Sequence, residues 1–138
     1  MQIGRTLRER NMTAGVARTL RGAEPLSALE SAGAKCLSAC VYALIGATSR
    51  VVGPGAAIGV HRPGQAVGRG EERFTTEHVP PITLSVRMRE VARYIHDMGI
   101  DEGLYDALHA TPHHRMRYLT RDEIVRFRVE SRAASEAP

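Results

Sequence analysis

The most regular signal along the chain is an apolar stripe in which Leu84, Met88, Val91, Ile95 and Met98 recur at alternating steps of four and three. That spacing is the period of one helix face. Pro80 and Pro81 stand where a helix can begin, Arg87, Glu90, Arg93 and Asp97 fall off the stripe, and Gly99 suits a C-terminal stop. The pattern therefore predicts a helix from about 80 to 98, and a shorter one over 101–109. Thr120, with Glu123 three residues on, gives the capping-box signature at the head of RDEIVRF, another helix. Near the N-terminus, Ile3 and Leu7 lie four apart among Arg5, Arg8, Glu9 and Arg10. This predicts an opening helix that Asn11 closes in a left-handed conformation. Nothing precedes that helix to cap it, which suggests a start upstream of Met1.

Between these helices the pattern shortens. TAGVA (13–17), RVV (50–52) and AAIGVH (56–61) are strand candidates, the last two separated by a GPG turn at 53–55. Ser38 to Ile45 suits a buried helix stopped by Gly46. The stretch 21–35 is small and polar and reads as a loop with a helical turn at 25–30. Residues 62–79, rich in Gly and charge, read as a long loop, a length that is usually functional or disordered. The strand at 56–61 is apolar on both faces, as expected of a strand covered on both sides. Strands alternating with helices predict an α/β fold with a mostly parallel sheet and flanking helices. The expected organisation is a single domain over 1–128 and a disordered tail over 129–138.

Composition narrows the class. A chain of 138 residues with 43% hydrophobic and 25% charged positions is one globular domain. Only 4% of residues are aromatic, so the core must be aliphatic. No window approaches the roughly 20 apolar residues of a membrane span, and the N-terminus shows no apolar leader. The formal charge is +4, and every basic residue except Lys35 is arginine. The arginines clustered at 115–128 lack aromatic interleaving and any binding motif, so nucleic acid is not an expected partner.

Candidate chemistry begins at CLSAC, residues 36–40. Ser38 has three readings: a helix N-cap, part of a thiol or metal site, or a nucleophile. A serine nucleophile needs a base to take its proton and donors aimed at the developing oxyanion. A serine heading a helix has one donor at hand, because the next amide, that of Ala39, has no intrahelical partner. His61 ends the strand AAIGVH just before Arg62-Pro63, and the carboxyl ends of parallel strands border the site crevice of open α/β sheets. Cys36 and Cys40 leave open a bridge or two free buried thiols. The thiols are the preferred reading, and an exported protein would favour the bridge. A zinc set drawn from Cys36, Cys40, His61, His109, His113 and His114 has only loosely suitable spacing, so no metal is expected. His113 and His114 read as an exposed loop.

Taken in order, IGRTLRERNMTAGV, CLSAC, a helix ending in Gly, GVHRP, a long helix ending YIHDMGID, and TPHHRMRYLTRDEI resemble the Clp-protease-like branch of the ClpP/crotonase superfamily. More closely, the chain looks like bacterial proteins described as predicted periplasmic, Clp-related serine proteases, and the resemblance covers roughly residues 1–125. The resemblance implies Ser38 as nucleophile, His61 as general base and the Ala39 N–H as half of an oxyanion hole. It implies a peptide or protein substrate cleaved through an acyl-enzyme, a homo-oligomer, no cofactor and a periplasmic location. A chain complete as written would instead be cytoplasmic. It also implies that a first strand and the glycine pair carrying the second oxyanion donor lie before Met1, leaving this chain N-terminally truncated. The position matching the family's third triad member is Met116, preceded by His113, His114 and Arg115, none a carboxylate. Asp97, Asp101, Asp106 and Asp122 are nearby in sequence but not placed against His61. Two functional expectations follow: a serine peptidase working with a Ser–His pair, or an interaction protein of the same fold whose chemistry has lapsed. The acyl-CoA chemistry of crotonases does not use a serine nucleophile, so CLSAC with GVH speaks against it.

Overall fold

In the computed structural model, which describes residues 1–20, 29–67, 74–76 and 81–131, two parallel strand pairs are packed among helices. The chain enters through α1 (Gln2–Glu9) and turns at Asn11, whose φ of 52° is the left-handed stop expected there. It then runs through β1 (Thr13–Val16), a short antiparallel ladder of β2 (Arg18–Thr19) with β3 (Leu29–Glu30), and β4 (Lys35–Leu37). The loop read at 21–35 thus ends in paired backbone at 29–30, while the turn read at 25–30 lies largely outside the described residues. Next come α2 (Ala39–Gly46), β5 (Ser49–Val52) and β6 (Ala57–Val60). A hairpin of β7 (Gln65–Val67) and β8 (Phe74–Thr76) leads on to α3 (Pro81–Asp97), α4 (Gly103–Ala110), β9 (Arg117–Tyr118) and α5 (Arg121–Arg126).

The fold is mixed α/β, but the expectation of a mostly parallel sheet needs correcting. β1 pairs with β5 and β4 with β6 in parallel, whereas β6–β9, β2–β3 and β7–β8 are antiparallel. Parallel neighbours require a long crossover, which α2 and its flanks supply. The two hairpin ladders have no such crossover, and β9 returns from α4 along the other edge of β6 in the opposite direction. The long loop read at 62–79 is likewise part strand. Gln65 pairs with Thr76 and Val67 with Phe74. The ladder joins main-chain groups and needs no run of apolar residues, so the hydrophobic pattern did not show it. Residues 68–73 and 77–80 lie outside the described residues.

The core gathers on the α3 face. Of the predicted stripe, Val91, Ile95 and Met98 share one buried cluster with Val41, Ile45, Val52, Ile58 and Val60, and Met88 is buried as well. Tyr94 is fully buried with them, and its hydroxyl donates to the carbonyl of Tyr42 at 2.7 Å, which removes the penalty of hiding a phenol. The capping box at Thr120 and Glu123 is formed in both directions, as the sequence predicts.

α1 is bolted down by close contact. A Cβ added to Gly46 would lie 2.2 Å from the Cα of Gly4, so the two helices touch backbone to backbone. Arg8 crosses the same junction, donating to the carbonyls of Gly46 and Met98 at 3.2 and 3.0 Å.

The packed chain continues past the boundary read at 128. Val129 has no exposure, and the amide of Ser131 donates to the carbonyl of Arg50. Arg50 is only 6% exposed and donates to the carbonyls of Ala47, Arg128 and Val129 at 2.8, 3.0 and 3.1 Å. Burial, and then the charge of Arg8, draws its pKa down from the usual arginine value. Replacing Arg50 by Met leaves those carbonyls short of a donor. Urea unfolding of Arg50→Met is expected to show a loss of roughly 3 kcal/mol.

Candidate active site

Ser38 and His61 stand at the same end of two adjacent strands. β4 and β6 run parallel with Leu37 opposite Gly59, and the amide of Ser38 donates to the carbonyl of Gly59 at 2.9 Å. Ser38 therefore leaves β4 at the level where Val60 precedes His61 on β6. Neighbouring strands are about 4.8 Å apart, so the two residues share one rim of the sheet. The structure brings their backbones together there. The side chains make no hydrogen bond to each other.

The backbone at Ser38 is unusual. It has φ 54° and ψ −115°, a conformation that favours glycine, and it is the residue that turns β4 into α2. Although Ser38 occupies the N-cap position, its side chain makes no capping hydrogen bond. The capping reading is thereby set aside: the hydroxyl is presented at the rim, half-buried, and is not spent on the helix end. Ala39 is exposed as the first residue of α2, where a helix amide has no intrahelical acceptor. The Ala39 N–H and the N-terminal dipole of α2 thus lie beside the serine.

His61 is half-buried, and its Nδ1 lies 2.9 Å from the carbonyl oxygen of Arg62. A carbonyl can only accept, so Nδ1 carries a proton, and in the neutral ring Nε2 is then the nitrogen that keeps its lone pair. The segment after His61 is itself held, because the Arg62 amide donates to Thr111 O at 2.9 Å. β9 lines the other side of β6, with Val60 opposite Arg117. Extending that register by one residue puts Met116 opposite His61, so the position that the resemblance assigns to a carboxylate holds a thioether. Asp97 is committed elsewhere, in an ion pair with Arg5 at 3.1 Å, and the Asp101 carboxylate accepts from the amide of Gly103.

The cysteines correct the preferred reading. They form a disulfide, Cys36–Cys40, with the Cα atoms 5.2 Å apart. The turn at Ser38 folds the end of β4 back over the start of α2, which closes the gap that a continuous helix would have left. Joined to each other, the two sulfurs are not available as thiolate metal ligands. Cys36 is fully buried in the core and Cys40 is exposed. Both line an apolar cavity of about 190 Å³ shared with Leu7, Ala14, Val16 and Leu44. His113, read as exposed, is half-buried with its ring against Gly64, and its Nε2 is sequestered from solvent with no partner among the described residues. Its neighbour His114 is exposed.

No protein-family model matches the chain, and no curated protein matches it. Among solved structures, it is similar to the 1510-N membrane-bound stomatin-specific protease, determined as a serine-to-alanine mutant. The identity is 17%, the match covers 99% of this chain and 57% of that one, and the TM-score is 0.59. A lysine-to-alanine mutant of the same protease, in complex with a substrate peptide, gives 19% identity, coverage of 97% and 52%, and a TM-score of 0.60. The chain thus has the α/β fold of these protease chains and spans about half the length of the solved chains that it matches. Among the described residues, no helix is long and apolar enough to cross a membrane.

Proposed function

We propose that the chain carries a serine peptidase site of the Clp-like kind, with Ser38 as nucleophile and His61 as general base. The observation that carries this reading is the glycine-like backbone at Ser38, φ 54° and ψ −115°, held at a strand-to-helix turn with a hydroxyl that does not cap the helix. Strain of that sort persists where the surrounding structure enforces it, and it clusters at functional sites. In the proposed reaction His61 Nε2 takes the Ser38 proton as the hydroxyl attacks a peptide carbonyl. The Ala39 N–H donates to the oxyanion, and His61 returns the proton to the leaving amine. The Arg62 carbonyl does the orienting work that a carboxylate does elsewhere, fixing the tautomer through Nδ1. The substrate is a peptide.

One of the similar structures is a lysine mutant, which raises lysine as a rival base. This chain's sole lysine, Lys35, is exposed at the start of β4 and lines the cavity beside the disulfide. His61 is preferred as the base because it leaves β6 at the same end of the sheet at which Ser38 leaves β4. A fluorophosphonate probe tests the pair. Labelling is expected at Ser38, and His61→Gln is expected to slow it by about 10²–10⁴-fold. Labelling that is absent, or indifferent to His61, removes the hydrolase reading.

A second reading is favoured by Met116 standing opposite His61 and by the lack of a Ser38–His61 hydrogen bond: a peptide-binding relative whose chemistry has lapsed. It predicts peptide binding without labelling, whereas labelling that needs both Ser38 and His61 rules it out. A periplasmic location and a homo-oligomeric state belong to the same proposal, on resemblance alone.

A further inference from the structure

Ser38 is bracketed by the chain's only two cysteines, and they are bonded to each other. The bridge runs from the middle of β4 to the second residue of α2, enclosing Leu37, Ser38 and Ala39. The enclosed residues are the proposed nucleophile and the proposed oxyanion donor. Both ends of the loop are set by structure that lies outside it. Cys36 is fully buried and pairs in register with Ile58 of β6, so that end is anchored in the core. Cys40 is exposed, so that end is open to an attacking thiol.

A serine at φ 54° does not hold that conformation unaided; left-handed backbone at a residue with a Cβ costs of order 1–3 kcal/mol. Three restraints oppose the relaxation here. The Ser38 amide donates to Gly59 O at 2.9 Å, the Val41 amide donates to Ser38 O at 3.0 Å, and the bridge ties the two sides of the turn together. The two hydrogen bonds fix Ser38 to β6 and to the first turn of α2. The bridge adds a covalent tie between β4 and α2, which also pack together in the core.

We propose that the Cys36–Cys40 bridge is a redox-governed positioning device that holds Ser38 and the Ala39 amide in their reactive arrangement. This rests on the serine hydrolase reading for its catalytic consequence, but the positioning itself does not. Opening proceeds by thiol–disulfide exchange with a dithiol reductant. One thiolate attacks the sulfur of Cys40, the exposed residue of the pair, forming a mixed disulfide and expelling the Cys36 thiolate, which takes up a proton. The second thiol of the reductant then displaces Cys40 and leaves as a cyclic or protein disulfide. The bridge gains two electrons and two protons, and the dithiol loses them. With the bridge open, the turn relaxes toward ordinary backbone and the hydroxyl shifts against the Ala39 amide. A displacement near 1 Å at reacting groups can lower a rate by about 10²-fold.

The test uses the full chain, oxidised and then reduced with dithiothreitol, with the redox state read by thiol alkylation and mass spectrometry. Two readouts are taken on each state: the rate of fluorophosphonate labelling, and amide hydrogen exchange over residues 37–42. Reduction is expected to slow labelling roughly 10- to 100-fold, to speed exchange in 37–42 while α3 stays protected, and to be reversed by reoxidation. A Cys36→Ala, Cys40→Ser double variant is expected to label slowly and to ignore the reductant. Faster exchange with unchanged labelling overturns the catalytic consequence. Unchanged exchange in 37–42 overturns the positioning role, whatever the labelling does. Absence of labelling in both redox states counts against the hydrolase reading, and the exchange data still decide whether the bridge holds the turn.

Discussion

Ser38→Gly is expected to give a protein that is more stable than the parent and chemically silent. Relief of the left-handed strain returns about 1–3 kcal/mol, and the extra freedom of glycine in the unfolded chain takes back about 0.5–1 kcal/mol. The net gain is of order 1 kcal/mol, readable as a shift of the urea midpoint at unchanged slope. Fluorophosphonate labelling should vanish in the same variant. Ser38→Ala keeps the strain and should lose the labelling without the gain in stability. The two variants separate the two roles of the position, because one removes hydroxyl and strain together and the other removes the hydroxyl alone. A glycine variant that is no more stable than the parent would show that the turn is relaxed with serine in place, and the argument that its geometry is kept for chemistry would fall.

The second large effect is structural. Gly46→Ala puts a methyl 2.2 Å from Gly4 Cα and 2.4 Å from the Gly4 carbonyl carbon and oxygen. Nothing there is the flexible end of a side chain, so α1 has to move off α2, taking the Arg8 hydrogen bonds with it. A loss of about 3 kcal/mol is expected, at the upper end of the usual range for overpacking. Gly99→Ala is the comparison. That glycine has φ 69° and nothing within 4 Å of an added Cβ, so only backbone strain applies, of order 1–2 kcal/mol. Thermal or urea unfolding of the pair distinguishes steric exclusion from strain. Equal losses in both would mean that the α1–α2 junction has room to spare.

What could be read from the sequence depended on whether the signal was local. The α3 stripe, the Thr120–Glu123 box and the Asn11 stop are written within one or two helical turns, and each appears in the fold as expected. Pairing that joins distant or polar segments was not readable in the same way. The β7–β8 ladder has no alternating apolar face, and the antiparallel return of β9 on β6 is decided by where α4 leaves the chain. At the rim of the sheet, residue types and order suggested Ser38 and His61, and the register of β4 with β6 puts their backbones side by side. The left-handed turn at Ser38 was not visible, since serine does not announce such a backbone as glycine would. The bridge was misjudged for the same reason: the turn is what brings Cys36 and Cys40 into range. The Arg62 carbonyl had no signal at all, because backbone acceptors have none in a sequence.

Arg50 has one further consequence, for the order in which the protein can assemble. Two of the three carbonyls its guanidinium serves, those of Arg128 and Val129, emerge from the ribosome some eighty residues after it. Until they arrive, β5 holds an arginine that the core cannot close over, and the nascent chain has reason to stay open. Contacts so far apart in sequence slow folding. This part of the chain is therefore expected to close only once 128–131 has been made, with that segment serving as its latch.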